Sequence, residues 1–453
     1  MKKVHFIAIG GAAMHNLALA MYHKGYEVSG SDNEVFEPSR SRLSKYGLLP
    51  AETGWFPEKI TPELDAVILG MHAQEDNPEL LRAKELGIKI YSFPEYLYEQ
   101  TQDKKRVVIG GSHGKTTITA MILFVLQKLG IKFDYMVGAQ IEGFDTMVGL
   151  SDEAHIAIFE GDEYLTSPID LRPKFHLYRP HVALLSGIAW DHINVFPTFD
   201  NYVEQFRIFA SLIEPNGKLI YYKGDENLSE IAKNVRNDIE AIPYDTHTYV
   251  LENGKTFLIN NNEKIEIAVF GEHNLQNLNG ARLVCRQLGV SDNDFYRAIS
   301  GFAGAANRLQ KIAGNEYSAV YKDFAHSPSK LRATVKAMKN QFPERKLVAC
   351  MELHTFSSLN KDFLPQYKNC MKDADIAFVY FNPEVVEHKH LETFTKEQVA
   401  EAFGGENLRV FDDAELLKQE LQKIDFHNKN LLIMTSGNFS GMDIVGFTSE
   451  LIK

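Results

Sequence analysis

The segment Gly110–Thr117, GGSHGKTT, contains the residue types that hold the phosphates of a nucleotide. It lies between an apolar strand pattern and a helical pattern. Glycines let backbone N–H groups surround phosphate oxygens, and the helix N-terminus adds positive potential. In such a loop Lys115 contacts the β- and γ-phosphates, and the Thr116 hydroxyl binds Mg²⁺. Because Ile109 stands where the GxxxxGK[ST] pattern has its first glycine, the loop is either a shortened variant of that pattern or a glycine-rich turn.

Acidic and histidine side chains follow two later strand patterns. Glu160 ends the apolar run 155–160, and Asp191-His192 comes after the run 181–187. An acid and a histidine at strand ends downstream of a phosphate loop can complete a site for a hard metal ion such as Mg²⁺. Taken singly, a surface carboxylate or a hydrogen-bonded core histidine explains each of them better.

Polar residues of two further segments are not explained by helix formation alone. Asn274 and Asn277 lie on one face of a helical pattern, and capping accounts for one of them but less well for both. Asp323 ends a strand pattern, and His326 follows it. The next two residues, Ser327-Pro328, have the types of an N-cap and a first helical residue, a role that requires neither Asp323 nor His326.

A glycine-containing turn follows the first strand pattern, Val4–Ile9. It reads Gly10-Gly11-Ala12-Ala13-Met14. Against the dinucleotide pattern GxGxxG/A it lacks the first glycine, while Ala13 is acceptable at the last place. Asp32 ends the second strand pattern, where an acid can bind ribose hydroxyls. Alone, these residues indicate a nucleotide site and an ordinary α/β turn about equally.

Strand and helix patterns alternate along the whole chain in three series, which predicts three α/β domains. The expected boundaries are 1–103, 104–313 and 314–453. The βαβ rhythm predicts parallel sheets with helices on both faces. The two outer domains are expected to be Rossmann-like, and the central one is expected to be a phosphate-loop ATPase domain. Within the central series, Thr256–Ile267 predicts a hairpin around Asn260-Asn261-Asn262.

Composition excludes several classes of protein. The chain has 453 residues, of which 24% are charged, and its formal net charge is −12. That charge argues against nucleic acid or an anionic membrane as the main partner. The three cysteines have no paired spacing, as expected in a reducing compartment, and no apolar run approaches the roughly 20 residues of a membrane span. A cytoplasmic protein is expected, and its oligomeric state stays open.

Taken together in chain order, these segments resemble the Mur ligase family across nearly the whole chain. The set is GGSHGKTT, EGDE, DH, GEHNLQN, AANRLQ and DFAHSP. The resemblance implies a first domain that binds a UDP-sugar, a central ATPase and a third domain that receives the amino component, with ATP and Mg²⁺ as cofactors. The turn at 10–14 and Ser29-Gly30-Ser31-Asp32 resemble the branch that binds UDP-N-acetylmuramate.

Two amine donors fit that branch, the murein tripeptide L-Ala-γ-D-Glu-meso-diaminopimelate and free L-alanine. The stretch 162–180 and the ending Ser436–Gly441 resemble the murein peptide ligase group, so the tripeptide and a place in peptidoglycan recycling are expected. The loop His354–Ser358 partly resembles the HRYTRT loop of the group that adds L-alanine in de novo peptidoglycan synthesis. L-Alanine therefore stays the alternative.

The resemblance also implies roles for individual residues. Lys115, His192 and Arg308 would be catalytic, and Thr116, Glu160 and His192 would hold the metal ion. The UDP-sugar would contact Gly10, Gly11, Ala12, Ala13, Met14, Ser31 and Asp32. ATP would contact Gly111, Ser112, His113, Gly114, Lys115, Thr116, Thr117, Asn274, Asn277, Arg308, Asp323 and His326.

Two other classes of protein remain open from the residues. An NAD-dependent oxidoreductase would use the turn at 10–14 and Asp32 but would leave the phosphate loop unused. A non-catalytic phosphate-loop switch or motor would use that loop but would explain neither the N-terminal turn nor Asp191-His192 nor a third domain.

Overall fold

The computed structural model describes residues 1–190, 195–261 and 263–452. Asp191, His192 and Asn262 lie outside the described residues. The described chain forms two compact units. The first comprises 1–190, 195–245 and 279–298, and the second comprises 246–261, 263–278 and 299–452. No described helix is long and apolar enough to cross a membrane.

The first unit begins with a four-stranded parallel sheet. Its strands are β1 (Lys3–Ile7), β2 (Glu27–Ser31), β3 (Ala66–Leu69) and β4 (Ile90–Ser92), and its helices are α1 (Ala12–His23), α2 (Ser39–Lys45), α3 (Pro78–Glu85) and α4 (Phe93–Glu99). The strand order is β2-β1-β3-β4. Phe6 belongs to an apolar cluster with residues of α1, and Ile7 to one with residues of α3. Helices therefore cover both faces, since successive strand residues point to opposite sides.

A seven-stranded sheet follows in the order β13-β12-β11-β5-β8-β6-β7, and all of its neighbouring strands are parallel except β6 and β7. A separate small hairpin contains β9 and β10. The strands are β5 (Lys105–Gly110), β6 (Asp134–Met136), β7 (Val148–Gly149), β8 (Ile156–Glu160), β9 (Leu165–Ser167), β10 (Asp170–Pro173), β11 (Val182–Leu185), β12 (Lys218–Tyr222) and β13 (Glu240–Tyr244). The helices are α5 (Lys115–Lys128), α6 (Phe199–Ser211) and α7 (Glu226–Lys233).

Strand β5 lies between β11 and β8 and positions the phosphate loop. It is buried from Arg106 to Gly110. Gly110 is in register with Leu185 of β11, and Ile109 is in register with Glu160 of β8. Since the carboxyl ends of parallel strands meet at one edge of the sheet, the loops that follow these three strands lie together.

The second unit contains an antiparallel sheet and a larger mixed sheet. The first has β14 (Tyr249–Glu252), β15 (Lys255–Asn260) and β16 (Glu263–Ile267). Helices α8 (Glu272–Gln287) and α9 (Asp292–Ile299) come next along the chain. The larger sheet has β17 (Gln310–Gly314), β18 (Ala319–Asp323), β19 (Lys346–Leu353), β20 (Ile376–Phe381), β21 (Leu408–Phe411) and β22 (Lys429–Met434). Its helices are α10 (Pro328–Gln341), α11 (Pro383–His388), α12 (Lys396–Phe403), α13 (Ala414–Gln422) and α14 (Ile444–Leu451).

The larger sheet has the order β17-β18-β22-β19-β20-β21, in which β17 is antiparallel and the other pairs are parallel. The expected α/β class with parallel sheets is confirmed. The expected hairpin is confirmed as well, because Asn260 is in register with Glu263 across β15 and β16. The boundaries at 103 and 313 stay predictions.

Candidate functional site

The phosphate loop runs from the end of β5 to the start of α5, as the sequence predicts. Gly111 and Gly114 have φ angles of 125° and 76°, a conformation that favours glycine because it lacks a Cβ. A Cβ at Gly111 would also lie 2.3 Å from the Ser186 hydroxyl oxygen. The loop therefore packs against the chain after β11 only with glycine there. Such a glycine-rich backbone entering a helix N-terminus is an anion-binding arrangement.

Lys115 is held by its own loop and by a buried carboxylate. Its ammonium group donates hydrogen bonds to the Gly111 carbonyl oxygen at 2.7 Å and to Glu163 Oε2 at 2.6 Å. Burial opposes the charge on Lys115, but the carboxylates of Glu163, Asp162 and Glu160 outweigh burial and raise the pKa of Lys115. The ammonium group is therefore charged at neutral pH, as phosphate binding requires.

A chain of hydrogen bonds connects Lys115 to the beginning of its loop. The Tyr202 hydroxyl donates to Glu163 Oε1 at 3.1 Å and lies 2.9 Å from Ser112 Oγ. Ser112 Oγ in turn accepts a hydrogen bond from the Ala189 N–H at 2.9 Å. Since the Tyr202 proton points to Glu163, the Ser112 hydroxyl donates to Tyr202. This network holds both ends of the phosphate loop in one position.

The sequence predicts the roles of Ser112 and Lys115 but not those of Glu163 and Tyr202. Glu163 stands in the EGDE segment, so its motif was a usable signal. Tyr202 lies on α6, 90 residues after Ser112. No local pattern marks it, because its neighbours in the sequence form an ordinary amphipathic helix.

Thr116 and Glu160, two of the three predicted metal ligands, are in contact. The Thr116 hydroxyl donates to Glu160 Oε1 at 2.8 Å, and the Gly138 N–H donates to Glu160 Oε2 at 2.8 Å. The described residues contain no group of three or more His, Cys, Asp or Glu side chains that could hold a metal ion. Mg²⁺ is commonly held by one or two carboxylates together with substrate phosphates and water, so a hydroxyl beside one carboxylate fits that ion. The third predicted ligand, His192, lies outside the described residues.

A cavity of about 320 Å³ extends from the phosphate loop to the N-terminal turn. Ala12 and Ala13 at the start of α1 line it, and so do Lys115, Glu160 and Asp162. Its apolar lining comes from Phe93, Met136, Val137, Met147 and Val148. Lys174 and Tyr178 also line the cavity, and sequence reasoning assigned neither of them to a site.

The N-terminal turn is stabilised by Asp32, the acid that the sequence predicts to bind ribose hydroxyls. Asp32 Oδ2 accepts a hydrogen bond from the Gly10 N–H at 2.7 Å, and a Cβ at Gly10 would lie 2.9 Å from that oxygen. Ala12 and Ala13 are exposed, whereas Met14 and Ser31 are buried. The Met14 side chain packs in the apolar cluster with other residues of α1. Of the residues predicted to contact the UDP-sugar, the exposed Ala12 and Ala13 of the turn are therefore accessible to a ligand.

The second unit holds the remaining predicted ATP contacts. Asp323 accepts hydrogen bonds from the Leu309 N–H and the Ala325 N–H, each at 2.7 Å. Burial raises the pKa of Asp323, while the Arg308 charge and these two N–H groups oppose that rise. The Arg308 guanidinium lies 4.9 Å from the centre of the Phe324 ring. Asp323 thus joins the backbone just before β17 to the segment that follows β18.

Two of the other predicted residues of this unit, Asn274 and His326, contact backbone. Asn274 Nδ2 donates to the Phe270 carbonyl oxygen at 2.9 Å, and His326 Nδ1 lies 2.8 Å from the Phe324 carbonyl oxygen. Asn274 and Asn277 are both buried. Ser327 occupies the N-cap position of α10, yet within the described residues its side chain makes no capping hydrogen bond, so Pro328 at the first helical position accounts for that helix start.

Three protein-family models match successive parts of the chain. They are "Mur ligase family, catalytic domain" over residues 3–105, "Mur ligase middle domain" over 109–285 and "Mur ligase, glutamate ligase domain" over 307–439.

Curated relatives are similar over most of the chain. The UDP-N-acetylmuramate–L-alanine ligase of Caldicellulosiruptor bescii is 30% identical over 392 residues, which cover 84% of this chain and 83% of the relative. The ligase of the same name from a Sulfurihydrogenibium species is 28% identical and covers 94% and 93%.

Solved structures share the fold. The UDP-N-acetylmuramate–alanine ligase of Thermotoga maritima matches with a TM-score of 0.70 at 20% identity, over 100% of this chain and 98% of that one. A murein peptide ligase from Psychrobacter arcticus matches with a TM-score of 0.64 at 22% identity, with the same coverage. At such low identities these matches speak for the fold alone. The domain matches and the curated relatives carry the further conclusion that the chain belongs to the Mur ligase family of ATP-dependent, ADP-forming amide ligases.

Proposed function

We propose that the protein joins UDP-N-acetylmuramate to an amine by way of an acyl phosphate. The observation that carries this proposal is the cavity that touches both Ala12-Ala13 and Lys115. A ligase of this kind must bring the carboxylate of a nucleotide sugar to the γ-phosphate of ATP, and one connected space between the two predicted sites allows that. Membership of the Mur ligase family removes the oxidoreductase and the phosphate-loop switch as alternatives.

The first step transfers a phosphoryl group to the sugar's carboxylate. A carboxylate oxygen forms a bond to the γ-phosphorus, and the bond between that phosphorus and the oxygen bridging it to ADP breaks. Lys115 neutralises charge on the transferred group, and the network through Glu163 and Tyr202 holds the lysine in place. Thr116 and Glu160 would hold Mg²⁺, which supplies further positive charge at the phosphates.

The second step forms the amide. The amine nitrogen bonds to the activated carbonyl carbon, phosphate leaves with the oxygen that linked it to that carbon, and the nitrogen loses a proton. Arg308, Asp323 and His326 would also contact ATP, and Asn274 and Asn277 would contact its adenine. His192 would serve the metal ion or the acyl phosphate. The domains 1–103, 104–313 and 314–453 would serve the UDP-sugar, ATP and the amine in that order.

L-Alanine is the better supported amine donor. Curated relatives that are 27–30% identical to this chain are UDP-N-acetylmuramate–L-alanine ligases. The sequence segments at 162–180 and Ser436–Gly441 favour the murein tripeptide instead. We therefore take L-alanine as the first candidate and the tripeptide as the second. The proposed location is the cytoplasm, in keeping with three cysteines that are free and buried.

A competition assay decides between the donors. The full chain is given ATP, Mg²⁺, UDP-N-acetylmuramate and equal concentrations of L-alanine and the tripeptide, and the products are identified by mass spectrometry. We expect the alanyl product to predominate. Predominance of the tripeptide product would move the enzyme to peptidoglycan recycling, and absence of both products would contradict the proposed function.

A further inference from the structure

Lys174 is a second cation in the cavity, and the two proposed reaction steps do not use it. It opens the short 3₁₀ turn Lys174–Leu177 directly after β10. Its N–H donates to the Tyr164 carbonyl oxygen at 2.9 Å, and the Phe175 N–H donates to the Asp162 carbonyl oxygen at 3.0 Å. The backbone of Lys174 is thus fixed against the segment that follows β8.

The Lys174 side chain offers more donors than its neighbours use. Its ammonium group donates to Asp162 Oδ2 at 2.6 Å and lies 5.7 Å from the centre of the Tyr164 ring. An ammonium group has three N–H donors. Within the described residues, Asp162 alone accepts a hydrogen bond from the Lys174 ammonium group. The side chain is 24% exposed. A charged donor with remaining capacity therefore stands at the cavity wall.

Tyr178 supplies a second donor in the same place. The residue is fully buried and lines the cavity, and in the part of the chain that the structure describes its hydroxyl has no hydrogen-bond partner. Burial raises the pKa of Tyr178, and the carboxylates of Asp162 and Glu160 raise it further. The hydroxyl therefore keeps its proton at neutral pH. A buried hydroxyl without a partner is costly, and a ligand that accepts its hydrogen bond removes that cost.

The charges of the cavity indicate what this ligand is. Lys115 is already paired with Glu163 and tied to the phosphate loop, so it serves the phosphates. Glu160 and Asp162 also line the cavity, and they repel any further carboxylate unless a second cation offsets them. The apolar lining suits the carbon skeleton of a sugar and its ether substituent, not a second phosphate group.

We propose that Lys174 and Tyr178 bind the carboxylate of the nucleotide sugar that becomes phosphorylated. This inference rests on the proposed function. Both groups donate to one carboxylate oxygen, which leaves the other oxygen to attack the γ-phosphorus. Neither residue exchanges a proton in that step, because the carboxylate attacks as an anion and ADP leaves as an anion.

Lys174→Met tests the pairing with two nucleotide sugars. UDP-N-acetylmuramate carries the carboxylate on a lactyl ether, and UDP-N-acetylglucosamine is the same nucleotide sugar with a free hydroxyl in place of that ether. Dissociation constants are measured by calorimetry on the full chain. Wild type is expected to bind UDP-N-acetylmuramate about tenfold or more tightly than UDP-N-acetylglucosamine, and the variant is expected to lose that preference with unchanged affinity for UDP-N-acetylglucosamine.

Two further variants separate this role from a structural one. Tyr178→Phe removes a hydroxyl oxygen alone and is expected to reduce the same preference severalfold without lowering the melting temperature. Lys223→Met removes an exposed lysine paired with Asp245 at 3.0 Å, which does not line the cavity, and is expected to leave both dissociation constants unchanged.

The outcomes distinguish the inference from the function on which it rests. A wild-type chain that binds neither sugar, or shows no preference, would overturn the proposed function and this inference with it. A wild-type preference that survives in Lys174→Met, or a variant that weakens both sugars equally, would overturn the inference alone.

Discussion

Individual residues divide into those that we propose to contact phosphate and those that hold these residues in position. Lys115 and Thr116 belong to the loop and were accessible to sequence reasoning, because GKTT after a strand has a known chemical use. The roles of Tyr202, Lys174 and Tyr178 are not predicted by the sequence, since they arise from contacts between separate segments of the chain. A pattern confined to neighbouring residues contains no information about such contacts.

Lys115→Ala is expected to lower the rate of ligation by about a thousandfold or more, because the transferred phosphoryl group loses its main protein cation. Steady-state release of ADP measures the effect. Lys128→Ala, at the exposed end of the same helix, is the matched control and is expected to behave as wild type. Turnover of Lys115→Ala close to wild type would rule out the phosphate-loop assignment.

Tyr202→Phe is expected to raise the KM for ATP severalfold and to cost about 1 kcal/mol of stability. The variant leaves Ser112 and Glu163 without the hydroxyl that joins them, so Glu163 keeps its bond to Lys115 but is held less firmly itself. ATP titrations and thermal melting measure the two effects, with Tyr317→Phe at a half-exposed tyrosine as the control. An unchanged KM in a destabilised variant would reduce the network to a structural role.

Secondary-structure elements follow the sequence most closely where they are long and apolar. Strands β18 and β19 coincide with largely apolar runs of the sequence, and α5 begins directly after the glycine loop. Strands β7, β9 and β10 have only two to four residues, which is too short for a two-residue period to be recognised. The hairpin of β9 and β10 leads directly into Lys174. Because strands this short are not recognised in the sequence, neither the hairpin nor the position of Lys174 is predicted.

Ser92→Ala is expected to lower the melting temperature by about 2–4 °C, since it removes the cap of α4. Ser92 and Glu95 form a capping box, in which each residue's side chain bonds to the other's N–H. Phe93, the first residue of the helix, lines the cavity, but the KM for ATP is expected to stay unchanged. Ser44→Ala at an exposed site on α2 is the control, and an equal drop for both variants would contradict the capping role.

Asp375→Asn is expected to reduce stability by about 1 kcal/mol at neutral pH. Asp375 Oδ2 accepts hydrogen bonds from the Leu347 N–H at 2.7 Å and from Lys339 at 2.6 Å. Burial alone would raise the pKa of Asp375, but these two partners outweigh it and lower the pKa below 3.8.

Because the pKa of Asp375 is lower in the folded chain, its contribution to stability is complete when the pH lies above the pKa of the unfolded chain. That contribution disappears as the pH falls through the pKa of the folded chain. Melting curves from neutral pH to about pH 3 should therefore show wild type and Asp375→Asn converging in acid. Asp362→Asn at an exposed aspartate serves as the control. A difference that persists unchanged to the acid end would show that the carboxylate's charge is not involved.

At the scale of the whole molecule, a chain with a net charge of −12 must handle anionic substrates. Its positive charge for that task is therefore local. Two lysines line one cavity of the first unit, and Arg308 stands beside Asp323 in the second. Six ordered segments of the sequence identify the family. They do not identify the amine donor, because the groups that use L-alanine and the tripeptide have these segments in common.

Phosphorylation of the sugar's carboxylate by ATP before the amine attacks can be tested directly with an isotopic label. UDP-N-acetylmuramate labelled with ¹⁸O in that carboxylate is converted by the wild-type chain with ATP and L-alanine, and the released phosphate is examined by mass spectrometry. We predict one ¹⁸O atom in the phosphate for each amide formed, because the oxygen that attacks phosphorus leaves with it. Amide formation with unlabelled phosphate would rule out the acyl phosphate.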